Sequence, residues 1–171
     1  MDVEEEIAGI DWLKHQGKYM KMLTTNSRNI KLWKIFDKTE KKVVKSAGKD
    51  LNMPKLQNVE SGYTAQLQKL FPPKHLSSIN SISTTDNEEY LLSSDDVQTF
   101  LWSMDDPSKP FLVADLLGTQ KIEDIKENIN FSRMHPSADN LFVFGTNKGS
   151  LKMCDMRLSA LTDNTAVSFK S

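Results

Sequence analysis

A single cysteine, Cys154, stands in 171 residues, and this excludes the disulfide framework on which small secreted domains normally depend. Long apolar runs are missing as well. Stretches such as Leu141 to Phe144 extend over a few residues, far short of the roughly 20 that cross a bilayer as a helix, so no membrane span is expected. The first nine residues, MDVEEEIAG, carry neither the basic start nor the apolar stretch of a secretory signal. These absences lead us to expect a cytoplasmic or nuclear protein. Apolar side chains make up 38% of the sequence, enough for a core to form.

The sequence is also poor in the groups that carry out chemistry. His15, His75 and His135 are widely separated, and a lone Cys154 in a strand pattern reads as a buried side chain rather than a nucleophile. The segment Ser46 to Asp50, SAGKD, lacks the upstream glycine and the Ser or Thr after lysine that a phosphate loop requires. Asn130-Phe131-Ser132 fits a glycosylation triplet but falls in an expected core strand. The lysine-rich residues 38–74 hold Tyr63 and Phe71 as their aromatics, which is no stacking platform for nucleic acid. No catalytic group, metal site, cofactor or nucleic-acid partner is therefore expected.

Charge is unevenly spread although the net value is −1. Phe36 to His75 holds eight lysines against four carboxylates, and Asp86 to Glu127 holds eleven carboxylates against three lysines. Each block can be a solvated face. The acidic block can also be a surface for a basic partner, because like charges around a concavity sum to a steering potential.

Self-similarity sets the architecture. Three segments align when Trp33, Trp102 and Cys154 are superposed: MLTTNSRNIKLWKI, LLSSDDVQTFLWSM and VFGTNKGSLKMCDM. Thr25, Ser94 and Thr146 stand eight residues before the anchor, and Asn26, Asp95 and Asn147 seven before it. Farther upstream, Ile10, Ile79 and Phe131 align, as do Leu13, Ile82 and Met134. Each unit reads as strand, turn, strand, turn, strand. The units lie near residues 7–36, 76–105 and 128–157, with 37–74 as an inserted lysine-rich loop. Anchor spacings of 69 and 52 residues exceed the ~40–45 of compact WD repeats and so require such insertions. One segment, Thr119 to Asn128, has helical spacing, with Thr119 as its N-cap. The expected fold class is all-β: about three blades of a WD-repeat β-propeller.

Several matches go beyond a general WD pattern: Leu23 to Asn26 followed by IKLWKI at Ile30 to Ile35, INSIS at Ile79 to Ser83, and SSDD at Ser93 to Asp96. They continue through His135-Pro136, KGS at Lys148 to Ser150, and CDMRLSAL at Cys154 to Leu161, with Asp163 and Phe169 in step. On these residues the chain resembles the 55-kilodalton regulatory B subunits of protein phosphatase type 2A over essentially its whole length. The resemblance implies about the second to fourth blades of a roughly seven-bladed ring. It also implies a regulator that is not itself an enzyme, binds both the A-type scaffold and the C-type catalytic subunits, and recruits phosphorylated substrates through basic segments. Carried over by position, the substrate groove would involve Glu4, Glu5, Asp96, Glu123, Asp124 and Ile125. The insert after Phe36 corresponds to the arm that grips the scaffold, with Leu67, Leu70 and Phe71 as its apolar candidates; their competing reading is an ordinary blade strand. Ser77 and Ser78 replace the Tyr-His usual before INSIS, so part of the groove differs. A generic WD interaction scaffold and a truncated, nonfunctional relative are the alternatives.

Overall fold

The computed structural model describes residues 6–14, 17–45, 54–118, 126–157 and 167–170. Every regular element among them is a strand. The first sheet has the order β1 (Gly9–Trp12), β2 (Tyr19–Thr25), β3 (Ile30–Lys45), β4 (Pro54–Phe71). The second runs β5 (Ser81–Thr84), β6 (Tyr90–Ser94), β7 (Gln98–Ser103), β8 (Phe111–Asp115). The third is β9 (Ile129–Met134), β10 (Leu141–Thr146), β11 (Ser150–Asp155), β12 (Val167–Lys170). Each is a four-stranded antiparallel meander, so the expected three-strand units each gain an outer strand.

Short polar turns at 26–29, 95–97 and 147–149 join the second and third strands. In the last of these Gly149 takes φ 72° and donates its N–H to the Thr146 carbonyl, a left-handed position that suits glycine.

The three anchors occupy one place in the repeat. Trp33 lies opposite Met22, Trp102 opposite Leu91 and Cys154 opposite Phe142, each on the third strand of its sheet. The third hairpin departs slightly from the gapless alignment: Cys154 faces a residue twelve positions back, whereas the tryptophans face residues eleven back. The upstream alignment slips further. Ile79 is buried, but Ile10 and Phe131 are more than half exposed. The isoleucine matching Ile79 in the third sheet is Ile129: the Ile79 N–H bonds the Ser27 carbonyl and the Ile129 N–H bonds the Asp96 carbonyl, each reaching the turn of the preceding sheet. In the first sheet the matching residue is Ile7, because the Ala8 amide bonds Thr25 as the Asn80 amide bonds Ser94.

Two apolar layers hold the sheets face to face. Leu23, Ile30, Leu32 and Phe71 of the first sheet pack on Ile79, Leu91 and Trp102 of the second. Leu92, Leu101 and Val113 of the second pack on Ile129, Phe142 and Cys154 of the third. Alternation along β6 explains this economy: Leu91 serves one layer and Leu92 the other.

Two expectations are corrected. Residues 37–74 are not a loop for most of their length: β3 and β4 continue as an antiparallel ribbon from Ile30 opposite Phe71 out to Lys45 opposite Pro54. Phe71 is not available for docking. It is wholly buried and meets Trp102 edge to face, with ring centroids 5.7 Å apart, because the ribbon's return strand ends inside the first layer. The helical expectation at Thr119 to Asn128 falls mostly outside the described residues; Lys126 to Asn128 are irregular and Ile129 begins β9.

Replacing Phe71 by alanine removes a ring from a filled layer and should cost about 3–5 kcal/mol in urea unfolding. Tyr63→Ala, at a residue 74% exposed, should change stability by no more than about 0.5 kcal/mol.

Candidate functional site

Antiparallel order places the turns 26–29, 95–97 and 147–149 on the same edge of the stack as the segments entering the inner strands β1, β5 and β9. On this edge Glu6, Ala8, Ser27, Ser78, Ile79, Asn80, Asp96 and Asn130 line one open pocket that bridges all three sheets.

Asp96 lines this pocket and is held by three hydrogen bonds. The Asn80 side-chain amide donates to Oδ1 at 2.8 Å, the Asp96 N–H donates to Ser77 Oγ at 3.1 Å, and the Asp96 carbonyl accepts the Ile129 N–H at 2.7 Å. The same Asn80 amide donates to the Ile129 carbonyl at 3.0 Å, tying the second sheet to the third beneath the carboxylate. A half-buried carboxylate held this way keeps its charge at a defined point and faces the pocket without first being ordered. Exposed Glu6 adds a second acidic group on the same wall.

Beneath Asp96 its neighbour Asp95 is wholly buried in a network that sequence reasoning missed. The Trp102 indole N–H donates to Ser93 Oγ at 2.7 Å, leaving the Ser93 hydroxyl to donate to His75 Nε2 at 2.7 Å, while His75 Nδ1–H donates to Asp95 at 3.0 Å. The Leu76 amide also donates to Asp95 Oδ2, and the Val97 and Gln98 amides donate to Oδ1. Burial pushes the Asp95 carboxyl up, but the bonds from His75 and the two turn amides outweigh it and hold the group below its ordinary value. The network pins the connection leading into β5 to the turn that carries Asp96.

A matching order of Ser and Asp nine and seven residues before a Trp, with His 27 before it, was the available signal. His75 looked isolated because its partners lie 18 and 20 residues away in sequence. The other sheets keep only fragments of this network. Trp33 donates to Thr24 Oγ1 at 2.9 Å, and in the third sheet, where Cys154 pairs with Phe142 as Trp102 pairs with Leu91, Phe144 and Cys154 stand where the second has Ser93 and Trp102.

Hydroxyls show the same asymmetry. Ser94 Oγ meets Thr99 Oγ1 at 2.8 Å, and a buried pair joins Ser81 to Ser132 at 3.0 Å across the second interface. Thr25, the residue matching Ser94, is buried with no partner for its hydroxyl, since Ile30 and Ile82 replace the polar neighbours. Burial pushes the Cys154 thiol up to about 11, consistent with an inert side chain.

Of the residues singled out from the sequence, Asp96 is in the pocket. Glu4, Glu5, Glu123, Asp124 and Ile125 lie outside the described residues. Leu67 and Leu70 stand about half exposed on β4. No group of three His, Cys, Asp or Glu among the described residues is arranged to hold a metal, and no described helix is long and apolar enough to cross a membrane.

No family model matches the chain. It is 32% identical over 183 residues to the regulatory B subunit of protein phosphatase PP2A from Candida tropicalis, a match covering 99% of this chain and 36% of that protein. Against the gamma isoform of the human 55 kDa regulatory B subunit of serine/threonine-protein phosphatase 2A it is 33% identical over 182 residues, covering 99% of this chain and 40% of that one. The chain thus spans about two fifths of the length of these relatives. Among solved structures it resembles the Cps50 (Swd1) β-propeller domain of Myceliophteria thermophila, with TM-score 0.50 and 12% identity over 93% of this chain and 40% of that one. That likeness establishes the fold as a partial WD-repeat propeller.

His75→Ala leaves Asp95 buried without its ring partner and should lower stability by roughly 3 kcal/mol or more. The depressed Asp95 carboxyl contributes stability that is complete above the unfolded value of about 3.9 and is lost as pH falls through the folded value. Asp95→Asn should therefore be less stable than the parent at pH 7, with the gap narrowing towards pH 3, as read from urea midpoints at the two pH values.

Proposed function

The chain belongs to the family of 55 kDa regulatory B subunits of protein phosphatase 2A, and from that premise we propose that it acts as a regulatory, noncatalytic component that brings basic segments of phosphoproteins to the phosphatase. The observation that carries this reading is the fixed carboxylate of Asp96 in a pocket spanning three sheets, with Glu6 beside it. Lysine and arginine are drawn to such a group over distance. Arginine gains most, because a preset carboxylate can take two of its N–H donors at once. Glu4, Glu5, Glu123, Asp124 and Ile125 belong to the segments leading into β1 and β9. In this proposal they extend the acidic wall, with Ile125 as an apolar contact that sets the register of the bound segment.

Ser77 and Ser78 change how the groove works. Ser77 gives its oxygen to the Asp96 amide and Ser78 borders the pocket, so this part of the groove offers hydroxyls instead of an aromatic and an imidazole. Recognition here rests on charge more than on stacking and should weaken steeply with added salt. For the A-type scaffold subunit, Leu67 and Leu70 at the base of the ribbon are the proposed apolar contacts. The C-type catalytic subunit is the third member of the assembly, and the cytoplasm, with the nucleus as an alternative, is the proposed compartment.

Affinity purification of the tagged chain should recover serine/threonine phosphatase activity. Stable partners without that activity would favour a generic WD interaction scaffold and overturn the proposal. Asp96→Lys should reduce capture of an Arg/Lys-rich phosphopeptide by about tenfold or more while leaving thermal unfolding close to the parent; unchanged capture would remove Asp96 from the site.

A further inference from the structure

Asn80 does two things at once at the wall of the pocket. Its side-chain amide donates to Asp96 Oδ1 at 2.8 Å and to the Ile129 carbonyl at 3.0 Å. An amide nitrogen carries two N–H groups, so both are taken. The same two acceptors decide which way round the amide sits, because the reverse orientation would set its oxygen against a carboxylate and a carbonyl. The Asn80 oxygen is therefore left as an acceptor beside Asp96, and no donor among the described residues reaches it. Asn80 is exposed and lines the pocket together with Asp96.

Stacking of the sheets does not require this arrangement. In the first sheet the residue that follows the matching isoleucine, Ile7, is Ala8. The residue matching Asp96 is Ser27, whose carbonyl receives the Ile79 N–H as that of Asp96 receives the Ile129 N–H. The first interface thus packs its apolar layer with a methyl group and a hydroxyl where the second has an amide and a carboxylate. What the Asn80 and Asp96 pair adds is a set of acceptors facing the pocket.

We infer that Asn80 determines specificity: its amide oxygen is a second acceptor that makes the site select arginine over lysine, a role that rests on the reading of Asp96 as the point where a basic segment is held. Asp96 Oδ2 meets no donor among the described residues, and Oδ1 keeps a lone pair beyond the one used by Asn80. The carboxylate can therefore take one edge of a guanidinium, and the planar fork still has N–H groups for the Asn80 oxygen. A lysine ammonium radiates its three donors from one atom and is held as a point charge, so it gains less from a second acceptor set to one side. The acidic wall draws either side chain to the pocket, and the neutral amide distinguishes them.

Fluorescence anisotropy with the 171-residue chain and phosphoserine peptides that differ in one central residue provides the test. The arginine peptide should bind more than about tenfold tighter than the lysine peptide. Asn80→Ala should lower that ratio about tenfold, the worth of one hydrogen bond to a charged group. Comparing two peptides on one variant cancels any general loosening of Asp96. On the parent chain alone, symmetric dimethylation of the arginine keeps its charge but removes N–H donors, and should bring its affinity near that of lysine. Added salt should weaken the arginine and lysine peptides together and leave their ratio unchanged. Equal binding of the two peptides, an undiminished ratio in Asn80→Ala, or full affinity for the dimethylated peptide would overturn the inference, while Asp96→Lys would still abolish capture of both. Binding that survives Asp96→Lys would overturn the reading of Asp96 itself, and the role of Asn80 with it.

Discussion

Face-to-face stacking of sheets is the constraint on which this structure depends. A four-stranded meander has two broad faces, and in each of these sheets both are apolar. No sheet can then stand alone, because each face must be taken out of water by a neighbour. The alternation of side chains along a strand divides the work: Leu91 turns to one neighbour and Leu92 to the other. The turns at one edge, including the one that carries Asp96, are placed where they are because the sheets must stack in this way.

Polar bonds give that stacking its register. The amides of Ile79 and Ile129 reach the turns of the preceding sheets, and the buried His75, Ser93, Asp95 and Trp102 network fixes how the second sheet is entered. An apolar layer tolerates sliding, but a buried carboxylate with several directional donors does not. The complete network belongs to the middle sheet alone among the described residues. The first sheet leaves the Thr25 hydroxyl without a partner, and the third puts Cys154 where the second has Trp102. The best-determined of the three sheets is therefore the one that presents Asp96.

Much of the fold was legible in the sequence, because a repeated unit writes its pattern three times. The anchors Trp33, Trp102 and Cys154 do take one position, and the number of sheets follows from them. What failed was alignment away from the anchors. Ile79 matches Ile7 and Ile129 rather than Ile10 and Phe131, since loops of unequal length shift the inner strands without altering their apolar character. The ribbon formed by β3 and β4 was hidden by the lysines of that stretch, a composition as compatible with a two-stranded ribbon as with a loop. Phe71 was ambiguous for a related reason: an aromatic residue at the end of such a ribbon can face a partner or the core, and only the register of β4 against β3 distinguishes them.

The sequence by itself determined that the chain is all-β, that it is built from three like units, and that Asp96 stands at a polar turn in an acidic stretch. These properties are local, set by alternation, turn residues and charge within a few positions of each other. Tertiary structure alone decided that His75 joins Ser93, Asp95 and Trp102, that Asp96 shares a pocket with Glu6 and Asn80, and that Trp33 is left partly open where its counterpart Trp102 is sealed. Those facts depend on which sheet lies against which, a long-range relation that hydrophobic pattern permits but does not specify.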